Sequence, residues 1–334
     1  MNWITNNDTI IFDPDCYTKL DIELIYGFAK LIFSDYTLNE NLFGYYTNDK
    51  LEELSFIGST FNQDVSNLPQ TLRHLIFGCH FNQDVSKLPQ TLTHLIFGHE
   101  FNQDVSNLPH TLTHLKFGYR FNENVSKLPP NLITLIFCSR FDRDVSNLPY
   151  AIIKLIFGRF FDKNVSKLPP TLTHLTFGSY FNQDVSFLPS TLTHLKFGLY
   201  FNQDVSKLPS NIIHLTFGYE FNQDISNLPH TIINLELGKM FNQQYNIPTN
   251  VKYLKLCCNN QYIIDSLPNS VMELELELYN YANLQMDNLP SSIKILRIYK
   301  ESEYDKNLNC LPDFIEEMHL NHTYTKRILN IPNA

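Results

Sequence analysis

The chain has 334 residues, of which 43% are hydrophobic, and its formal net charge at pH 7 is −9. This negative balance disfavours nucleic acid as a general partner, because binding to phosphates requires an excess of lysine and arginine. The sequence contains no apolar run of about eighteen residues, so we predict neither a membrane-spanning helix nor a membrane partner.

The N-terminal sequence and the cysteines indicate the cellular compartment of the protein. Residues 1–10 lack a basic region followed by an apolar run, which predicts the absence of a signal peptide. The six cysteines fall at unrelated positions and show neither metal-ligand spacing nor an obvious disulfide framework. We therefore expect a reducing, cytoplasmic location.

Residues 1–50 lack the regular period that organises the remainder of the chain. Phe28, Leu31 and Phe33 nevertheless have the spacing of a strand. We predict that residues 1–50 form an N-terminal cap with a degenerate first coil, because the first coil of a stacked array must cover an exposed end. The alternative is a small motif that docks another protein.

From residue 51 to residue 334 we predict a solenoid, because a phrase recurs every twenty residues. The copy at residues 101–120 reads Phe-Asn-Gln-Asp-Val-Ser-Asn-Leu-Pro-His-Thr-Leu-Thr-His-Leu-Lys-Phe-Gly-Tyr-Arg. The regular copies occupy residues 61–240 and begin at Phe61, Phe81, Phe101, Phe121, Phe141, Phe161, Phe181, Phe201 and Phe221. Residues 241–334 are degenerate but keep the Leu-Pro or Ile-Pro skeleton.

The order of residues within one copy predicts its structure. Leu115, Lys116 and Phe117 alternate between apolar and polar, as in a strand, and Leu112 completes a Leu-x-x-Leu-x-Phe phrase like that of a leucine-rich repeat. Pro109 breaks a helix, and the short period leaves room for at most a turn of 3₁₀. The predicted fold class is mainly β: a right-handed, leucine-rich-repeat-like solenoid with a parallel sheet on one face and extended or 3₁₀ segments on the other.

The strands of this sheet are placed by the same phrase. We predict that they begin at Leu51, Leu72, Leu92, Leu112, Leu132, Ile152, Leu172, Leu192, Ile212, Ile232, Val251, Val271, Ile293 and Ile315. Glycine follows the strand in every regular copy but one, and Cys138 in that copy argues that a positive φ is not required there. Asn102 and its equivalents predict a buried asparagine ladder.

The phrase Phe-Asn-Gln-Asp-Val, followed by Leu-Pro-x-Thr-Leu-x-x-Leu-x-Phe-Gly, resembles the FNIP repeat. That family is a variant of leucine-rich repeats found mostly in social amoebae and in giant viruses that infect amoebae. The resemblance covers about residues 51–320. Asp104 and its equivalents, or asparagine in two copies, stand where the family has proline, and the period is shorter than the family's usual one.

The resemblance implies a recognition module that brings no catalytic residue with it. Some family members carry an N-terminal F-box, which makes them substrate adaptors of ubiquitin ligases. Residues 1–50 lack the Leu-Pro-x-Glu-Ile start of that motif. A viral member would act in the host cytoplasm.

One column of polar residues is a candidate metal site or active site. It consists of His74, His94, His114, His174, His194 and His214. Zinc needs three or four ligands that converge at about 2.0–2.3 Å, whereas a ladder spreads its members along a line. We predict a solvated or hydrogen-bonded ladder, with no metal and no cofactor. Because Ser, His and Asp recur at fixed, separate positions rather than in one unique constellation, we also predict no enzymatic activity.

The candidate protein-binding residues are basic and aromatic side chains on consecutive coils of the predicted open sheet face. They are Lys116, Tyr119, Arg120, Arg140, Lys154, Arg159 and Phe160. Acidic residues occupy comparable places farther along: Glu236, Glu273, Glu275, Glu277, Glu316 and Glu317. Two interpretations stay open, an ordinary solvated surface and a groove whose basic middle binds an acidic or phosphorylated segment.

The predicted function is therefore a monomeric protein–protein interaction scaffold that recognises a host or viral protein through its open sheet face. Variable side chains on a constant frame are how solenoids diversify their partners, and the two residues after the strand glycine vary most between the copies. The alternatives are a ubiquitin-ligase adaptor that acts through residues 1–50 and a purely structural component of a virion or assembly.

Overall fold

The computed structural model describes residues 3–6, 8–12, 28–33, 50–57, 60–243, 246–257, 260–278, 286, 288–298, 311 and 314–320. The chain forms two compact units, residues 1–172 and residues 173–334, which we call unit 1 and unit 2. Each unit is a run of stacked coils that contribute one short strand apiece.

Unit 1 begins with a hairpin and continues as a parallel sheet. Its strands are β1 (Trp3–Asn6), β2 (Thr9–Phe12), β3 (Lys30–Phe33), β4 (Glu53–Ser55), β5 (His74–Ile76), β6 (His94–Ile96), β7 (His114–Lys116), β8 (Thr134–Ile136) and β9 (Lys154–Ile156). Strands β1 and β2 pair antiparallel, whereas every pairing from β2 to β9 is parallel and joins consecutive strands.

Unit 2 continues the same pattern and then varies it. It contains β10 (His174–Thr176), β11 (His194–Lys196), β12 (His214–Thr216), β13 (Asn234–Glu236), β14 (Tyr253–Cys257), α1 (Gln261–Asp265), β15 (Glu273–Glu277), β16 (Ile295–Ile298) and β17 (Glu317–His319). All its consecutive strands pair in parallel. The predicted parallel solenoid with extended segments between its strands is therefore confirmed.

The observed strands begin two residues later than predicted. The amide of Leu112 donates to the carbonyl of Pro109 at 3.2 Å, which closes a turn and withholds that amide from the sheet. The strand β7 therefore begins at His114, and the same offset recurs at Leu72, Leu92 and Leu132. The helix α1 also exceeds the predicted single turn of 3₁₀; Asn260 caps it by accepting from the amide of Tyr262, and Ile263 and Ile264 are buried.

The interior is built from columns of identical side chains. The middle strand residue is a buried leucine in every regular coil, because strand side chains alternate between the two faces. The phenylalanine rings stack within a coil and between coils: the ring centroids of Phe77 and Phe81 are 3.6 Å apart, and those of Phe81 and Phe101 are 6.1 Å apart. Each coil thus buries most of its apolar surface against its neighbours.

The predicted asparagine ladder links adjacent coils by hydrogen bonds. The Oδ1 atom of Asn82 accepts from the amide of Asn102 at 2.9 Å, and that of Asn102 accepts from the amide of Asn122 at 2.7 Å. Asp142 performs the same task for the amide of Asp162. The ladder side chains are half-buried, or exposed at Asn62 and Asn182, rather than fully buried, so water reaches one side of the column.

The glycine column is required by close approach of neighbouring backbones. A Cβ atom on Gly118 would lie 1.6 Å from the carbonyl oxygen of Gly98, and one on Gly98 would lie 1.9 Å from that of Gly78. No van der Waals contact allows such distances, so a side chain at these glycines requires the backbone to shift; the coil that carries Cys138 accommodates a side chain and keeps its strand pairing. The strand-following position therefore controls the spacing between coils.

Candidate protein-binding surface

The outward face of the sheet in unit 1 consists of two columns of side chains, one from the first and one from the third residue of each strand. The first column contains His74, His94, His114, Thr134 and Lys154, and the third contains Ile76, Ile96, Lys116, Ile136 and Ile156. Because Lys116 and Lys154 belong to different columns, the two predicted lysines do not lie in register.

A stripe of two-residue turns runs beside these columns, directly after the glycine position. The amide of Arg120 donates to the carbonyl of His99 at 2.9 Å, and the amide of Arg140 donates to that of Tyr119 at 3.0 Å. Phe160 donates in the same way to Ser139. The five predicted residues Tyr119, Arg120, Arg140, Arg159 and Phe160 therefore lie in these turns, not on the strands, and the turn backbone holds them in place.

The arginines of this stripe have different partners. Arg120 forms an ion pair with Glu100 at 2.6 Å, so its charge is neutralised within the protein. The guanidinium of Arg140 lies over the ring of Tyr119, 5.6 Å from the centroid, and that of Arg159 lies over Phe160 at 5.4 Å. Such contacts hold a cation while leaving its hydrogen-bond donors available.

Two lysines and one arginine of the predicted set have no carboxylate within ion-pair distance in the part of the chain that the structure describes: Lys116, Arg140 and Lys154. Burial raises the pKa of the Cys138 thiol, and the charge of Lys116 opposes this rise. Lys116 on its strand is thus electrostatically coupled to Cys138, which lies directly before the turn that contains Arg140.

Apolar side chains that we did not predict lie among these cations. Ile133 and Ile153, just before strands β8 and β9, are 38% and 42% exposed, and Ile136 and Ile156 are partly exposed on the strands themselves. The signal in the sequence is weak, since four of the nine regular copies have threonine at this position but two others, at Ile213 and Ile233, also have isoleucine. We call these four isoleucines and the seven predicted residues the basic surface.

The histidine column forms stacks rather than metal sites. In unit 1 the rings of His94 and His114 stack at 4.2 Å, and Nδ1 of His94 lies 3.0 Å from the hydroxyl of Thr93. In unit 2 His194 stacks on both His174 and His214. Within the described residues no group of three or more His, Cys, Asp or Glu side chains is placed to hold a metal ion.

The central histidine of each stack resists protonation. Burial lowers the pKa of His94, and the neighbouring imidazoles of His114 and His74 lower it further, with Glu53 opposing them. Burial and the imidazoles of His174 and His214 lower the pKa of His194. His74 lies 3.0 Å from Glu53, which accepts from it when the ring is charged.

The acidic residues farther along the chain, all in unit 2, are mostly neutralised by neighbouring cations. The ion pairs join Glu273 to Arg297, Glu275 to Lys255, Glu277 to Lys239, Glu316 to Lys294 and Glu317 to Arg297. Glu236 differs, since no described cation lies within ion-pair distance of it. The predicted acidic region is therefore largely a network of internal pairs.

A model of the FNIP repeat matches residues 81–120, 104–140, 161–200, 201–240 and 241–279. The chain belongs to the FNIP repeat family. Its matched repeats include the turns and strands that carry most of the basic surface. No curated protein sequence matches the chain.

Solved structures agree on the architecture of this FNIP repeat protein. CroV588 of the giant virus CroV, described as a novel circular leucine-rich-repeat protein, is 26% identical with a TM-score of 0.73; the match covers 100% of this chain and 63% of CroV588. Internalin InlF of Listeria monocytogenes is 16% identical with a TM-score of 0.53, covering 96% and 87% of the two chains. The functional domain of InlJ from the same organism is 17% identical with a TM-score of 0.54, covering 87% and 68%. The predicted leucine-rich-repeat-like fold is confirmed.

These similarities also bear on the class of function. Solenoids of the leucine-rich-repeat type are typical protein–protein interaction scaffolds and are generally non-enzymatic. Among the described residues no helix is long and apolar enough to cross a membrane. Most of residues 1–50, to which we assigned a cap or a recruiting motif, lie outside the described residues.

Proposed function

We propose that the FNIP repeats of unit 1 bind a host or viral protein in the cytoplasm through the basic surface. The partner contributes an acidic or phosphorylated segment that also carries apolar side chains. The chain acts as a monomer in this role, because the surface presents all its contact residues from one unit.

The observation that carries this proposal is the combination of exposed isoleucines with cations that lack carboxylate partners. Ile133 and Ile153 supply apolar area that is worth removing from water. Lys116, Arg140 and Lys154 lie on the same or neighbouring coils, and an anionic segment of the partner would offset the repulsion between these like charges. An apolar centre with a charged rim is the usual anatomy of a protein interface.

The aromatic contacts strengthen the argument for a protein partner. Tyr119 and Phe160 each lie beneath an arginine, so these guanidinium groups are held in place before a partner arrives. Tyrosine and arginine dominate the energetics of many interfaces. A phosphate group would accept two hydrogen bonds from one such guanidinium.

The test is fluorescence anisotropy with labelled peptides that share one apolar sequence and differ in their acidic, phosphorylated or basic flanks. We expect the acidic and phosphorylated peptides to bind and the basic one to fail. Charge reversal of Lys116 and Arg140 to glutamate should weaken binding about tenfold or more and flatten its dependence on salt.

The matched control reverses Lys127 and Lys167, which are exposed in unit 1 but lie outside the basic surface. This variant should bind like the unaltered protein. Equal loss in both double variants would show that net charge alone governs binding, and an unchanged affinity in the first would place the binding site elsewhere. The adaptor and structural alternatives stay predictions.

A further inference from the structure

The regular glycine column of unit 2 ends after Gly238, and a cavity lies at that point. Counting along the paired strands, the next two coils have Cys257 and Glu277 where the earlier ones have Gly218 and Gly238. Without the glycine, strands β14 and β15 run for five residues instead of three. The change in strand length leaves a cavity of about 210 Å³, which we call the recess.

The recess has a partly apolar lining and a mixed set of charges. The buried residues Phe217, Leu237 and Leu256 contribute to its walls, and Tyr219, which is 40% exposed, contributes an aromatic ring. Its volume is smaller than that of most small-molecule pockets, which begin at about 300 Å³. The recess therefore suits one side chain or head group.

All but one of the charged side chains that line the recess form ion pairs within the protein. Glu277, only 8% exposed, pairs with Lys239, and Lys255 pairs with Glu275 at 2.6 Å. Glu236 also contributes to the lining and is half-buried; Lys255 lies opposite it on β14 but pairs with Glu275, and no described cation lies within ion-pair distance of Glu236. A half-buried carboxylate beside an aromatic ring attracts a cation through charge and through the π face.

We propose that the recess binds a single lysine or arginine side chain presented by a partner protein. The carboxylate of Glu236 accepts from the ammonium or guanidinium group, Tyr219 covers one side of the cation, and the apolar walls receive the aliphatic stem. This site is separate from the basic surface of unit 1 and prefers the opposite charge.

The test is an NMR titration of the amides of the whole protein with N-acetyl-arginine methylamide and N-acetyl-lysine methylamide. The neutral N-acetyl-glutamine methylamide and the anionic N-acetyl-glutamate methylamide serve as comparison probes. We expect only the cationic probes to shift the amide signals of Gly218, Tyr219 and Gly238.

Glu236→Gln should weaken the cationic probes about tenfold, the usual effect of losing one charge-assisted hydrogen bond. The matched control is Glu220→Gln, a carboxylate of the same unit outside the lining, which should leave the dissociation constant unchanged. Circular dichroism checks that both variants are folded. Equal shifts from the glutamine probe, stronger shifts from the glutamate probe, or an unchanged affinity in Glu236→Gln would each overturn the proposal. The probes are single residues, so their failure leaves the peptide-binding proposal for unit 1 untouched.

Discussion

His94 and His194 lie at the centres of two imidazole stacks, and each is flanked by a histidine on either neighbouring strand; in the first stack the ring of His74 packs edge-on against His94. A ring in that position gains dispersion contacts when neutral and electrostatic repulsion when its neighbours are charged. The two stacks differ in one respect, since Glu53 lies beside His74 and no carboxylate opposes the lowered pKa of His194. Protonation therefore affects the two units differently.

We expect the free energy of unfolding to fall as the pH drops below 6.5, the ordinary pKa of histidine. Folding lowers the pKa of His94 and His194, so just below pH 6.5 the unfolded chain binds more protons at these residues than the folded chain does. The stabilising contribution is present above pH 6.5 and is lost as the pH falls through the lowered pKa. Urea unfolding at closely spaced pH values between about 7.5 and 5 measures this slope.

His94→Gln with His194→Gln is the diagnostic variant, and it should flatten the dependence on pH in that range. The aspartates of the outer turns do not interfere, because hydrogen bonds from Ser106 lower the pKa of Asp104 below its ordinary value of 3.8, and other turns repeat this arrangement. A slope that is unchanged in the double variant would contradict the assignment to the stacks.

The coil is the repeating element, and its polar ladder is as regular as its apolar core. Oδ1 of Asn82 accepts from the amide of Asn102 and also from Nε2 of Gln103 at 3.1 Å. The first of these bonds gives the backbone amide of Asn102 an acceptor in a column that water reaches from one side. Where the chain has aspartate instead, the next coil compensates: Lys163 pairs with Asp142 at 2.7 Å.

We expect Asn82→Ala to lower the free energy of unfolding by about 0.5–1.5 kcal/mol, the usual net contribution of one hydrogen bond, because the ladder is only half-buried at this position. Asn82→Asp keeps the acceptor, as Asp142 does naturally, and should lose much less. Urea denaturation of both variants measures the difference. Similar losses in the two would mean that the side-chain shape, not the hydrogen bond, stabilises this position.

The periodic elements could be predicted from the sequence because each residue type has one physical role per coil. Leucine at the middle strand position and glycine after the strand left little choice of sheet or register. The start of the strand was predicted two residues early, since Leu112 is apolar like a strand residue while its amide closes a turn with Pro109. The helix α1 was missed because it lies in the degenerate region, where no repeated phrase marks a departure.

The surface proposed to bind a partner was predictable only in part. Charge and aromatic content selected the arginines and lysines, but most of them lie in turns whose direction depends on backbone bonds between coils. Ile133 and Ile153 were missed because an isoleucine in a mainly apolar phrase looks like core. Their exposure follows from the strand register, which no single copy reveals.

At the scale of the whole chain, the hairpin of β1 and β2 covers one edge of the sheet of unit 1. Strand β2 pairs with β3 and β3 with β4, so the hairpin and β3 shield the backbone of β4. Leu51, Leu54 and Phe56 are fully buried behind them. The assignment of residues 1–50 to an N-terminal cap stays a prediction.

Removal of residues 1–49 should expose the edge of β4, and the truncated protein should aggregate or lose protection in its first coils. Size-exclusion chromatography measures the aggregation, and hydrogen exchange measures protection at residues 51–57 and 60–80. Deletion of residues 321–334 gives a comparison at the other end of the sequence. A truncated protein that stays monomeric with unchanged exchange would make residues 1–49 a separate appendage.

The twenty-residue spacing of the hydrogen-bond ladders determines how the number of coils can change during evolution. Asn62 bonds to Asn82 and Asn82 to Asn102, so loss of one whole coil brings equivalent partners together again. A change that adds or removes one whole coil would therefore leave the register of the folded product intact. An insertion of a single residue within a strand, in contrast, moves the side chains that follow it to the other face. The connecting segments tolerate such a change, since Leu54 and Leu75 pair although they are 21 residues apart. The array can therefore change its length in whole steps and acquire new surface residues without a new fold.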